Sequence, residues 1–442
     1  MTFGDLNLNT PLLNALKELG YQQPTTIQQR AFSVIMSGKD VCGIAQTGTG
    51  KTFAYLLPTL RLFKFTKEKY PTVLIIVPTR ELVVQVVEAV KKLTPYMSVS
   101  VLGVYGGVNM NPQMEAVKDK LDILVATPGR LYDIILSGAL KVKSIKRLII
   151  DEVDEMLNLG FRTQLTNIMD LLPPKRQNLL FSATITEDVE KMIDTHFNNP
   201  LRIEAAPTGT PLENINQVVY KVPNFYTKIN LLEMLITDDP SMTKTLIFVG
   251  TKQLADDLFE QLEKEFPGKT GIIHSNKEQN HRFNTVRKFE SGEYRFLIAT
   301  DIIARGLDIA EVSHVINFDT PEVPENYIHR IGRTGRADQK GSAILLTKDS
   351  ETENLEQIET LMNYQIPVLP LPEDLTISDM LTEDEKPKVH MRNVLVKVPK
   401  REDVGPAFHQ KLAKNMKTNS KMSHKDKMML KYGKPKKRKP KK

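Results

Sequence analysis

The sequence predicts an α/β fold: two tandem, doubly wound parallel-sheet domains followed by a disordered basic C-terminal tail. Three observations carry this. Short runs rich in β-branched residues alternate with helix-compatible segments along most of the 442 residues. A Pro-, Gly- and Thr-rich stretch, PTGTPLEN, interrupts the alternation at Pro207. The excess positive charge is confined to the C-terminal end.

The runs Val73 to Val77, Asp122 to Val125, Leu148 to Ile150, Thr245 to Val249 and Arg295 to Ile298 are apolar on both faces. Such runs suit strands covered by helices on each side, and their alternation with helices is the signature of α/β architecture. The chain therefore divides into a first domain (1–206), a linker (207–215), a second domain (216–365) and an irregular extension (366–442). The extension opens on PVLPLPEDL. The two halves read as distant copies. Each has an apolar strand entering a Thr-containing turn and then a helix, AQTGTGKT in the first and FVGTKQ in the second.

Hydrophobic residues make up 40% and charged residues 26%, enough for each half to bury a core without metals or disulfides. Cys42 is the single cysteine, which excludes an intramolecular disulfide and suits a reducing, cytoplasmic setting. No run of membrane-spanning length occurs, and the opening MTFGDLNLNT lacks the pattern of a secretory signal.

The net charge is +7, yet residues 421–442 hold eleven Lys or Arg and one acid. The body, 1–420, is thus mildly acidic at −3. A basic block of this kind commonly serves as a nucleic-acid-binding arm; a solubilising tail and a nuclear import signal in KPKKRKPKK are the alternatives.

Gly48, Gly50, Lys51 and Thr52 end a phosphate-binding loop of the Walker A type. Glycines let the backbone N–H groups point at phosphate oxygens, and the following helix adds its positive end. Lys51 then reaches the β- and γ-phosphates and Thr52 ligates Mg²⁺. Ala45 stands where the pattern usually has its first glycine. In RLIIDEVDEML, Asp151 and Glu152 end an apolar strand, the edge where ligands of open α/β sheets bind. Asp151 suits the metal, and Glu152 suits the attacking water.

The segment His329 to Arg336 packs three arginines and a histidine into eight residues. Guanidinium forks facing a triphosphate neutralise charge that develops during transfer, and Arg333 and Arg336, three apart, can project alike. A surface salt-bridge cluster is the alternative.

The ordered set AQTGTGKT, PTREL, GG, TPGR, DEVD, SAT, TDIIARGLD and HRIGRTGR, with GYQQPTTIQ upstream, resembles the DEAD-box RNA helicases of superfamily 2. The resemblance runs from Phe3 to Thr347, and the overall length is most like the bacterial RhlE-type subgroup. It implies two RecA-like domains and ATP as the nucleotide, held by Phe3, Tyr21, Gln28, Ala45, Gln46, Thr47, Gly48, Thr49, Gly50, Lys51, Thr52 and Asp308. Gln28 would read the adenine edge, with Phe3 and Tyr21 around the base or supporting the loop. It further implies His329 beside Arg333 and Arg336 in catalysis. Coupling between the nucleotide site and the interdomain cleft would run through Ser182, Ala183, Thr184, Asp154 and Arg305.

RNA contacts are implied for Pro78, Thr79, Arg80, Gly107, Thr127, Gly129 and Arg130 on the first domain. On the second they are implied for Gly250, Thr251, Gln279, Arg282, Thr300 and Asp301. Small residues, hydroxyls and arginines suit a sequence-blind phosphate track. For Thr79, Thr127 and Thr300, capping of a following helix is the other reading. Val153 departs from the family's usual Ala.

The expected activity is RNA-dependent ATP hydrolysis with local strand separation, by a monomer in settings such as ribosomal or decay complexes. An ATP-regulated RNA clamp or annealing chaperone needs the same residues. A DNA helicase differs only in recognition of the sugar 2′-OH.

Overall fold

The computed structural model of the chain describes residues 1–45, 48–65, 68–204, 214–301, 312–335, 340–382, 385–386 and 423–433. Met1–Glu385 form one unit and Lys386–Lys442 another.

Two seven-stranded, wholly parallel sheets organise the first unit. The first contains β1 (Val41–Ile44), β2 (Val73–Ile76), β3 (Val101–Val104), β4 (Ile123–Ala126), β5 (Arg147–Asp151), β6 (Gln177–Ser182) and β7 (Leu201–Glu204), in the order β3-β4-β2-β5-β6-β1-β7. The second contains β8 (Ile215–Lys221), β9 (Thr245–Val249), β10 (Thr270–Ile273), β11 (Phe296–Thr300), β12 (His314–Asn317), β13 (Gly341–Thr347) and β14 (Val368–Leu369), in the order β10-β11-β9-β12-β13-β8-β14.

Adding seven to each strand number of the first sheet gives the second, so the halves share one winding. This re-pairs the turns compared above. FVGTKQ follows β9, whose counterpart is β2, and so matches PTREL rather than AQTGTGKT. Thr79 and Thr251 confirm the match: each caps the helix after its strand, accepting from Leu82 N at 3.3 Å and Leu254 N at 3.1 Å. Sequence resemblance alone favoured the wrong turn because both contain a Gly-Thr step.

Each sheet is buried on both faces because crossover helices cover both sides. Consecutive residues of β2 feed opposite cores. Val73 and Ile75 join Leu12, Ile27 and Leu56 on one face, and Leu74 and Ile76 join Leu131, Ile134 and Ile168 on the other. The expected strands are all present, with ends shifted by a residue or so.

The expected linker lies outside the described residues except for Asn214 and Ile215. The chain after Gln365 is not irregular throughout. β14 pairs with β8, Ile366 and Leu375 are buried, and the strand is followed by a strap onto the helix Phe225–Asp238. Asn224 Nδ2 donates to Ser378 O at 2.5 Å, Ser378 N to Thr227 Oγ1 at 3.0 Å, and Phe225 N to Glu385 Oε1 at 2.9 Å. The proline-rich sequence hid this because prolines at an edge strand remove ladder donors without preventing packing.

In the second unit, His424–Tyr432 is helical, capped by Ser423, whose Oγ accepts from Asp426 N at 3.2 Å. Among the described residues no helix is long and apolar enough to cross a membrane.

Candidate functional site

The nucleotide side is built where β1, β5 and β6 end. Gly48 and Gly50 have φ of 82° and 86°, the left-handed region that glycine adopts without strain. A Cβ on Gly50 would also sit 2.5 Å from Gln28 Nε2. Gly50 then caps the helix Lys51–Arg61, aiming its positive end at the loop.

Lys51 is 6% exposed, and its Nζ makes no hydrogen bond to the described residues. A buried ammonium without such a partner is costly, and an anionic ligand removes that cost. The residues therefore fit a triphosphate. Facing Lys51 are Asp151, Glu152 and Asp154, all within its electrostatic reach. Burial raises the Asp151 carboxyl above its ordinary value, opposed by Lys51 and Tyr55. Burial likewise pushes Glu152 up to about 7, opposed by Lys51 and Arg333.

Glu152 has φ 53° and ψ 51°, a left-handed conformation unusual for a side chain this large. Such strain costs about 1–3 kcal/mol and persists where the surroundings impose it. Here it turns the chain sharply between β5 and the helix Val153–Asn158. Val153 is fully buried in that turn and belongs to the core on that face of the sheet.

Asp154 is the hub beneath. Its Oδ2 accepts from Ala183 N at 3.1 Å, Thr184 N at 2.9 Å and Thr184 Oγ1 at 2.9 Å, and Ser182 Oγ donates to Thr184 O at 2.7 Å. His329 Nε2, from the second half, stands 3.9 Å from Asp154 Oδ2. Burial alone would raise the Asp154 carboxyl, but His329, Lys51 and the Thr184 donors outweigh it and hold it below its ordinary value. Arg333 is buried near Glu152, beyond the end of the helix Pro324–Ile331.

Gln28 Nε2 donates to Gly50 O at 3.1 Å and its Oε1 accepts from Thr25 N at 3.0 Å. The amide thus ties the preceding helix to the phosphate loop, with a second N–H and lone pair in reserve. Tyr21 is half exposed and meets Phe53 edge-on at 5.3 Å. Phe3 is buried in the core, so it supports the loop region rather than offering an open shelf.

Along the cleft, Gly107 has φ 74° and a Cβ there would fall 2.1 Å from Arg80 NH2, so the guanidinium lies directly on it. Thr127 begins the helix Pro128–Leu136, which contains Gly129 and Arg130, without a side-chain cap. Pro78 precedes the Thr79 cap. Arg130 NH2 donates to Val108 O at 2.7 Å, and Arg282 NH1 lies 3.3 Å from Glu81 Oε1 with both groups buried. These two arginines shape and brace the cleft instead of standing out from it. A cavity of about 670 Å³ joins Asn158 and Leu159 of the first half to Gly250, Thr251, Thr300 and Asp301 of the second.

Two models of known families fit this chain: DEAD/DEAH box helicase over residues 25–192, and helicase conserved C-terminal domain over residues 227–338. The chain belongs to the DEAD-box RNA helicases. The RNA helicase CrhR of Synechocystis is 38% identical over 372 residues, covering 84% of this chain and 75% of that protein. The structure of S. cerevisiae Dbp5 bound to RNA and ADP BeF3 is similar with a TM-score of 0.76 at 28% identity, over 84% of this chain and 95% of that one. Mss116 bound to ssRNA and UDP-BeF gives 0.77 at 29% identity, over 84% and 80%.

Within this DEAD-box chain, Gln46, Thr47, Arg305, Asp308 and Arg336 lie outside the described residues, as does the side chain of Gln279. Sequence reasoning passed over Arg330, which is 2% exposed and clamps Asp301. It also passed over Glu81, and Tyr55, whose ring packs at 5.4 Å on Phe181 and whose phenol is raised by burial and by Asp151. The available signal was position. Tyr55 and Glu81 each sit directly beside an apolar run, Leu56–Leu57 and Leu82–Val84, where a polar residue is buried and must be partnered, whereas Arg330 carries no such signal.

Proposed function

We propose that the chain couples ATP hydrolysis to local separation of RNA strands, and that the residues assembled above carry the steps. The buried Lys51 Nζ facing three carboxylates is the observation that supports this most strongly. In this reading Lys51 and the loop N–H groups hold the triphosphate. Thr52 and Asp151 hold Mg²⁺, which when bound supplies neutralisation of phosphate charge. Glu152 orients water and accepts its proton. Arg333, with Arg336, steadies the charge that develops on the transferred group, and His329 reports closure to Asp154 and Thr184.

RNA lies against Thr79, Arg80, Gly107, Thr127 and Gly129 on one side and Gly250, Thr251, Thr300 and Asp301 on the other. With both ligands present, domains 1–206 and 216–365 are held closed across the linker. Both sides of the cleft come from one chain, which favours a monomer. Cytoplasmic ribosomal or decay complexes are the proposed setting, and the RhlE-type subgroup the proposed placement. Parallel strand-displacement and annealing assays test the reading. ATP-dependent displacement of a short duplex supports it, whereas annealing without displacement favours the regulated clamp.

A further inference from the structure

The N-terminal rim of the first sheet, opposite the edge that carries Asp151 and the phosphate loop, presents a cation before each of five neighbouring strands. Because the strands are parallel, the residues just before them share one rim. Lys120 precedes β4, Lys69 β2, Lys146 β5, Lys175 and Arg176 β6, and Lys39 β1. Those strands are consecutive neighbours, so four steps of ~4.8 Å spread the cations over about 19 Å. All five lysines are exposed and Arg176 is half-buried. The Asp40 carboxylate on the rim is spent internally, accepting from Asn178 N at 2.7 Å, Asn178 Nδ2 at 3.2 Å and Asn198 N at 2.9 Å. This basic rim belongs to a body whose net charge is −3.

Shape adds a second observation. Toward β1 and β7 the rim sinks into a groove of about 1320 Å³, with Lys39, Lys146, Lys175 and Arg176 among its lining and the buried amides of Gln177 and Asn178 beside them. Toward β4, Phe65 is 66% exposed with Lys120 Nζ 3.9 Å from its ring centre, and Lys141 Nζ lies 5.6 Å from that of Tyr70. An exposed ring such as Phe65 beside an ammonium group can take a stacked base while the charges take phosphate. Most of the side chains that line the groove are polar, and its cations suit a polyanion.

We propose that this rim is a second RNA-binding surface, which takes the backbone of RNA flanking the segment held in the cleft. β5 is five residues long, so the two edges of the sheet are about 16 Å apart, within reach of a short flank. The inference rests on the RNA reading of the cleft.

The test uses the full chain carrying Lys39→Gln, Lys146→Gln and Lys175→Gln together, with the triple arginine variant as control. The RNA concentration for half-maximal ATPase stimulation is measured against salt, with a short RNA that fills only the cleft and with a long one. The expected result is unchanged response to short RNA, several-fold weaker response to long RNA, and a salt slope lower by about 2, since each single-strand phosphate contributes roughly 0.7. The arginine control should behave as the parent. An unchanged response and slope with long RNA overturns the proposal, as does equal weakening with short RNA. Failure of the helicase reading is seen separately, as absence of any RNA stimulation in the parent chain.

Discussion

Arg330 and Asp301 form a bidentate pair in which Nε meets Oδ1 at 2.5 Å and NH2 meets Oδ2 at 2.7 Å. The remaining guanidinium nitrogen donates to Asn317 Oδ1 at 3.2 Å and Asp319 O at 3.0 Å, and the group lies 5.2 Å from the ring centre of Phe248. Arg330 neighbours His329 on the helix that leads to Arg333, while Asp301 follows the last residue of β11, on the cleft. One planar fork thus joins the helix that carries His329 to the end of β11, the side proposed to meet RNA.

Replacing Arg330 by Lys should break this join. A lysine is a point charge that cannot reproduce two parallel bonds. The variant keeps the charge but loses the second bond to Asp301 and the bonds to Asn317 and Asp319, so its melting temperature should fall. RNA stimulation of ATP hydrolysis should fall with it, while ATP affinity, set by the first half, should hold. Weakened ATP binding with intact RNA stimulation would contradict the assignment.

The Glu152 carboxyl sits at about 7, and it must be ionised to accept a proton from water. The kcat/KM for ATP, which reports the free protein, should therefore rise with pH through about 7 and then level. Glu152→Gln should lower kcat by roughly 10²- to 10⁴-fold with nucleotide binding retained. A profile flat through neutrality would remove Glu152 from the proton transfer.

Glu81 and Arg282 bridge the two halves at 3.3 Å, both below a tenth exposed. Arg282→Ala removes this buried ion pair and should raise the RNA concentration needed for half-maximal ATPase rate. Exchanging the pair, Glu81→Arg with Arg282→Glu, should recover part of the loss, with a coupling of about 1–3 kcal/mol in a double-mutant cycle. Simple additivity of the two single changes would show that the contact does not control closure.

A chain ended after Gln365 loses Ile366, Leu375, β14 and the strap that ends at Glu385. Fully burying one aliphatic side chain contributes about 1.5–3 kcal/mol, so this truncation should cost roughly 3–5 kcal/mol. A chain ended after Lys386 should melt like the intact protein. Equal melting of the two truncations would mean the strap contributes nothing.

Lys51, Asp151 and Glu152 were legible from sequence because phosphate and metal chemistry demands those residue types at fixed spacing beside a strand end. The alternation of apolar runs with helices gave both sheets for the same kind of reason, a periodicity set by burial on two faces. Arg330 was not legible, because a motif arginine that clamps a carboxylate looks the same as one that meets phosphate until the helix end is placed. Arg130 and Arg282 are expected from sequence to contact RNA for that reason, whereas their protein partners, Val108 and Glu81, are set by tertiary contact. The strap after Gln365 was hidden by prolines that remove the strand signal but leave Ile366 and Leu375 free to pack.

In the proposed mechanism RNA in the cleft keeps Arg333, which is buried beside Glu152, against the nucleotide held by Lys51. The direct test is steady-state ATP hydrolysis by the parent chain and by Arg333→Ala, each alone, with single-stranded RNA and with matching DNA. Strong stimulation of the parent by RNA, little by DNA, and none of the variant despite retained ATP binding is expected. Equal stimulation by DNA, or an Arg333→Ala variant that is stimulated like the parent, would contradict it.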